Sequence, residues 1–272
     1  MQKIVKLEWA KVAPYNFFKV ILILTSVLFL LVLFVMSRID VSVPGFSWRN
    51  IFRFPNIWQT FSWVASWFNV LLAIMVIVIT GNEFASRSFR QQVLSGLSRD
   101  EWLAGKGLLV LSLAIFGLLL VIVAGLIFGF AYTRDLSFGL IFQNSGILMV
   151  YFLQAIGYMV LGLLFVNLFR SNALAIILYL LYFIFIEPLA GLLMGPEVRV
   201  WLPVKIIRHL TPVPEFLKLA SQGGNMDPDA LSFEQIGLMV KQLPQSTNIV
   251  MAAVYVILFG FLTWLLVKKR DL

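Results

Sequence analysis

The chain has 272 residues, 61% of them hydrophobic and 12% charged, with a mean hydropathy of +0.94, too apolar for a soluble domain of this length. It has no cysteine and a single histidine, His209, which excludes disulfides and thiol chemistry and removes histidine metal sites and histidine triads as options. The net charge of +8 points to basic flanks that orient membrane spans, because no soluble basic module exists to hold nucleic acid.

Residues 1–19 read as a basic interfacial segment. Val5, Trp9, Val12 and Ala13 share a helical face, with Lys3 and Lys6 opposite and Leu7 breaking the pattern. A short helix in the inner interface and a basic tail that only sets topology both fit. The first apolar run, 20–36, is longer than a signal peptide needs, and Ser37, Arg38 and Ile39 follow it without a small-residue cleavage site. We expect an uncleaved first helix.

Further runs at 60–80, 107–132, 146–169, 173–194 and 248–267 are nearly free of charge. Each is close to the ~20 residues needed to cross a bilayer core. None shows the strict alternation of a barrel strand, so the expected fold is all-α, one domain over 1–272 with six transmembrane helices. In the loop over 37–59, Pro44, Gly45 and Pro55 are breakers. Trp48, Trp58, Trp63 and Trp67 sit near that boundary, and interfacial anchoring explains at least the first three.

Residues 82–106 form the most informative polar segment. Glu83 to Ser95 is predicted to be helical, with Phe89 and Val93 four apart, and Gly96 is a natural stop. Ser98 with Glu101 forms a capping box that starts the next helix. The result is a rigid elbow, suited to receiving a mechanical push.

Within the spans, Gly125-x-x-x-Gly129 and Gly191-x-x-x-Gly195 would let helices approach closely, and Asn69, Gln154 and Asn167 would bond between helices. Glu187 is the one acidic residue well inside a span, and Pro188 follows it. Glu187 is a candidate pathway residue, a partner for Arg199, or the mark of a re-entrant turn. Residues 196–247 contain Pro196, Pro203, Pro212, Pro214, Pro228 and Pro244, so no span fits there. Ser232 and Gln235 form a capping box ahead of Ile236, Met239, Val240 and Leu243, predicting an outer amphipathic helix that is either a lid or packing against the bundle.

Six spans place both termini on one side. Lys3, Lys6, Lys11, Lys19, Arg87, Arg90, Arg99, Lys106, Arg170 and Lys268-Lys269-Arg270 would all fall on that side, which reads as the cytoplasm of an inner (plasma) membrane protein. No P-loop, H-E-x-x-H or G-x-S-x-G occurs, so no enzyme motif is visible and no cofactor is expected on this chain.

Glu83-Phe84, Arg87, Arg90, Leu94, Gly96-Leu97-Ser98-Arg99, Trp102 and Lys106 resemble the corresponding segment of ABC-2-type ABC transporter permeases. The layout of six spans with a basic start and a long outer segment before the last span is also similar to that family. The resemblance implies a type V exporter-like fold and a separate ABC ATPase carrying ATP and magnesium. It also implies a second permease copy, identical or paralogous, and outward movement of a hydrophobic or amphiphilic cargo. The elbow would be the coupling helix. Phe89 and Val93 would fill an apolar groove on the ATPase, and Arg87, Arg90 and Arg99 would contact its rim. Two other functions fit the residues: an ion-coupled carrier using Glu187, and a non-transporting scaffold that holds a cytoplasmic partner.

Overall fold

The structure is a computed structural model, and it describes residues 8–12, 14–39, 42–43, 46–134, 136–214 and 243–269. Six helical stretches in it are long and apolar enough to cross a membrane: Asn16–Arg38, Ile57–Ala85, Arg99–Tyr132, Phe138–Phe169, Asn172–Leu193 and Gln245–Lys269. They coincide with the six predicted runs. The chain is therefore built as a multi-pass helical membrane protein, and its sheet content among the described residues is a hairpin of two-residue strands, β1 (Ser42–Val43) and β2 (Phe46–Ser47).

The first span is α1 (Asn16–Arg38). The second is built from α2 (Ile57–Ser66) and α3 (Asn69–Ala85), joined by a turn at Trp67 and Phe68. A short helix, α4 (Ser88–Leu94), leads into the third span, α5 (Arg99–Tyr132). The fourth combines α6 (Phe138–Phe142) and α7 (Ile147–Phe169). The fifth runs from α8 (Asn172–Leu181) through a π-helical turn at Tyr182–Ile186 into α9 (Glu187–Leu193). Pro188 has no N–H to give the preceding turn, and wider i→i−5 bonding such as Glu187 N–H to Tyr182 O accommodates it. Two short helices, α10 (Pro196–Arg199) and α11 (Pro203–Arg208), precede the last span, α12 (Gln245–Lys269).

Helix α7 is central, packing against spans two, three, five and six. Small and polar residues permit this: Ala155, Gly157 and Gly162 are buried along it, and Asn69 of α3 accepts from Tyr151 at 3.2 Å. Gln154 also bonds across elements, whereas Asn167 donates to Leu163 of its own helix. The outer faces of spans one, five and six stay uncovered, as on Val250, Val254, Ile257 and Phe261 of α12. Such apolar faces are stable in lipid.

The glycine pairs differ from expectation. A Cβ at Gly125 would meet the Trp58 ring and one at Gly129 the Phe54 ring, so α5 uses these positions to seat aromatic side chains rather than another helix. Gly191 leaves room for the Arg199 stem, and Gly195, at φ +83°, is the turn that ends the fifth span. Trp58 is buried and donates to Ile141 O at 2.6 Å, so it is a packing residue rather than an interfacial anchor. Trp67 remains half-exposed.

The described start of the outer segment does not simply lie over the bundle. Residues 196–214 fold back between spans four and six, burying Ile206 and Leu210 against Ala252 and Leu153. Ile207 reaches Gly157, ten residues along α7 from Ile147, a depth of about 15 Å. The predicted amphipathic helix at 232–243 lies almost wholly outside the described residues.

Candidate functional site

The elbow is local chemistry first. The prediction of one helix from Glu83 to Ser95 is corrected: α3 ends at Ala85, and α4 starts only at Ser88. Between them Ser86 donates to Asn82 O at 2.7 Å, and Arg87 adopts the left-handed conformation at φ 56°. Gly96, at φ 101°, ends α4 as expected. Ser98 then accepts from Glu101 N at 3.1 Å while Glu101 accepts from Ser98 N at 2.9 Å, the predicted capping box. Glu83 and Phe84 therefore belong to the second span, and Arg99 opens the third.

Beneath α4 lies a buried charge network. Lys106 has no exposed surface and sits 2.6 Å from Glu83 Oε1 and 2.7 Å from Glu8 Oε1. The second Glu83 oxygen accepts from Trp102 Nε1 at 2.6 Å. Lys11 lies 3.6 Å from Glu83 and donates to Gln92 of α4 at 2.9 Å. Two acids thus face two bases, the pairing that makes buried charge tolerable. Gly105 makes the approach possible, since a Cβ there would press on the Glu8 side chain at 3.0 Å. The helical turn at 8–12 is therefore anchored inward through Glu8 and Val12, while Trp9 is half-exposed. This replaces the expected apolar face shared by Trp9 and Val12.

An aromatic cluster sits beside the network. Phe89 is buried, its ring centroid 4.7 Å from that of Trp102 and 5.4 Å from that of Phe84. Val93 packs partly into the same cluster, which also takes Val267 of the last span. Arg99 donates to Val267 O at 3.1 Å and Lys268 O at 2.7 Å, holding the C-terminal carbonyls of α12. Phe89, Val93 and Arg99 are thus committed within the chain. The outward face of the elbow is Arg87, Arg90 and Leu94, all exposed, with Leu94 at 75%. Arg90 and Leu94, four apart on α4, share one side of it, and Arg87 is exposed at the turn that precedes it.

A second polar site lies at the other end of the bundle. Glu187 is buried, and its two oxygens accept from Val204 N at 2.9 Å and Lys205 N at 2.7 Å. It caps the N-terminus of α11, where Pro203 supplies the first helical residue and an anion is favoured. At the other end of α11, Gln154 donates to Ile207 O at 2.9 Å and Arg208 O at 3.1 Å, and Thr211 donates to Gln154 at 2.9 Å. Both ends of α11 are thereby pinned by side chains from spans. Around Glu187, Arg199, Lys205, Arg208 and His209 line a cavity of about 100 Å³. In this segment between spans, burial and then the charge of Arg199 hold the Lys205 ammonium below the ordinary lysine value. His209 is held below the ordinary histidine value, first by burial.

Of the sequence-predicted residues, Glu83, Phe84, Phe89 and Val93 converge with Trp102 and Lys106, Arg99 holds the end of span six, and Arg87, Arg90 and Leu94 are exposed. Gly96 and Ser98 shape the turn. Glu8 was not foreseen, although it is the one acid in the first 39 residues and Lys106 stands at the start of an apolar run. No model of a known protein family matches the chain, and no curated protein matches it.

Proposed function

We propose that the chain is the permease subunit of an ABC-2-type transporter, with the elbow at 83–101 receiving the push of a separate ATPase. The observation that carries this reading is the two-sidedness of the elbow. Its inner side is tied by Phe89, Glu83 and Lys106 to spans two and three, by Lys11 to the start of the chain, and by Arg99 to span six. Its outer side offers Arg87, Arg90 and Leu94, which are exposed, with none of the described residues over them. A force applied there would reach several spans at once, because packed elements transmit displacement.

In this reading the elbow faces the cytoplasm and ATP and magnesium stay on the partner. A second permease copy completes the path, and an amphiphilic cargo moves outward. The engagement of both Glu187 oxygens in capping α11 weighs toward ATP drive and against ion coupling at Glu187.

The test is purification in mild detergent from the native membrane, with mass spectrometry of co-purifying proteins. The expected result is an ABC ATPase that is lost when Arg87 and Arg90 become Glu and Leu94 becomes Asp. Retention of that ATPase by the triple variant removes the elbow as its dock. Recovery of the chain without any ATPase, from membranes in which ABC ATPases are plainly present, removes the reading.

A further inference from the structure

We infer that the folded-back segment between spans five and six, together with α9, forms a binding site for a phosphate monoester. The inference stands apart from ATPase coupling, since it concerns the opposite end of the bundle.

Three cationic side chains, Arg199, Lys205 and Arg208, line the cavity of about 100 Å³ with neutral His209, and Glu187 is the one carboxylate among its lining residues. Glu187 is already engaged with both oxygens on the backbone of α11. Lys205 Nζ is shielded from solvent and has no hydrogen-bond acceptor among the described residues. A buried, unpartnered ammonium is costly, and an anion is what relieves it. The excess of two positive charges matches a phosphate monoester, which carries about −1.5 to −2 near neutral pH. Arginine and lysine donors together are the usual means of holding one.

A larger cavity, about 420 Å³, adjoins the first and shares Phe183, Arg208 and His209 with it. Its remaining walls include Trp63, Trp67, Val70 and Pro212. A charged pocket sharing a wall with a larger, mostly apolar one fits a phosphate head with an apolar body. The phosphate can come from a lipid such as phosphatidic acid or from free phosphate, and the chemistry at Lys205 is the same.

The test uses the full chain in phosphatidylcholine nanodiscs, titrated in one arm with phosphatidic acid and in the other with inorganic phosphate. Saturable binding is expected in at least one arm. It should weaken at least about tenfold in Lys205→Met and in Arg208→Gln. Phosphatidic acid alone binding identifies a lipid source, and inorganic phosphate binding equally well identifies a soluble one. Without ligand, Lys205→Met should match or exceed the parent in thermal stability, since it removes an unpaired buried charge. Binding that both variants leave unchanged marks general lipid contact and overturns the site. No saturable binding by the parent in either arm overturns the site, whatever the stability of Lys205→Met.

Discussion

Lys106 and Glu83 meet at 2.6 Å in the interior of the elbow, one on span three and the other on span two, and Glu8 closes on the same ammonium from the start of the chain. Removing the cation would leave two carboxylates buried with Lys11 as the one other base within 4 Å among the described residues, at 3.6 and 3.8 Å. Lys106→Met should therefore lower stability by about 3–5 kcal/mol. Glu83→Gln in the same chain should recover part of that loss. Thermal unfolding in detergent of the two single variants and the double variant gives the coupling directly. Additive losses would mean that the pair is not a unit.

The two sides of the elbow should separate stability from coupling. Phe89→Ala opens a hole against Trp102 and Phe84 and should cost about 3–5 kcal/mol, visible as a lowered unfolding midpoint. Leu94→Asp and Arg90→Glu alter exposed positions and should change stability by less than about 0.5 kcal/mol. Under the proposed function, the same two substitutions should abolish cargo-stimulated ATP hydrolysis in the reconstituted complex. An uncoupled but fully stable Leu94→Asp chain is the decisive phenotype, and Phe89→Asp cannot supply it.

The sequence exposed the spans because charge depletion over some twenty residues is a one-dimensional signal. Ser98, Glu101 and Gly96 were legible for the same reason, since caps are set by neighbours a few positions apart. Phe89 shows where that stops. Its spacing to Val93 marks an apolar face, but spacing does not say whether the face meets a partner or the chain's own Trp102. Glu8 and Lys106 show the second limit, because a buried ion pair between distant residues leaves no periodic trace. Arg87 shows the third: the two helices part at a single left-handed residue, a break that neither spacing nor propensity marks in the sequence.

The aromatic seats on span three are testable by size. Gly125→Ala would drive a methyl group into the Trp58 ring, where the nearest ring atom lies 2.6 Å from the new carbon. Trp58 is held by its bond to Ile141 O and cannot swing away without losing it. Overpacking of this kind costs about 1–3 kcal/mol. Gly107→Ala, on the same helix with open space around the new carbon, should be neutral or slightly stabilising, because alanine favours helix. Equal unfolding midpoints for the two variants would show that the Trp58 contact does not constrain the fold.

Glu187 distinguishes a helix cap from an ion site. As a cap, its carboxylate satisfies two backbone donors, and Glu187→Ala would strand both in a buried position at about 1–3 kcal/mol. Glu187→Gln keeps one carbonyl oxygen and should recover part of the loss, because an amide still accepts from one N–H. The effect should appear as faster hydrogen exchange in 203–211 and a lowered unfolding midpoint, with any residual transport still requiring ATP. An ion site would behave otherwise: the Gln variant would keep full stability while losing transport, and the parent's transport would follow an imposed ion gradient without ATP. Hydrogen exchange of the Gln variant decides between the two, since only a cap links the Glu187 carboxylate to protection of Val204 and Lys205.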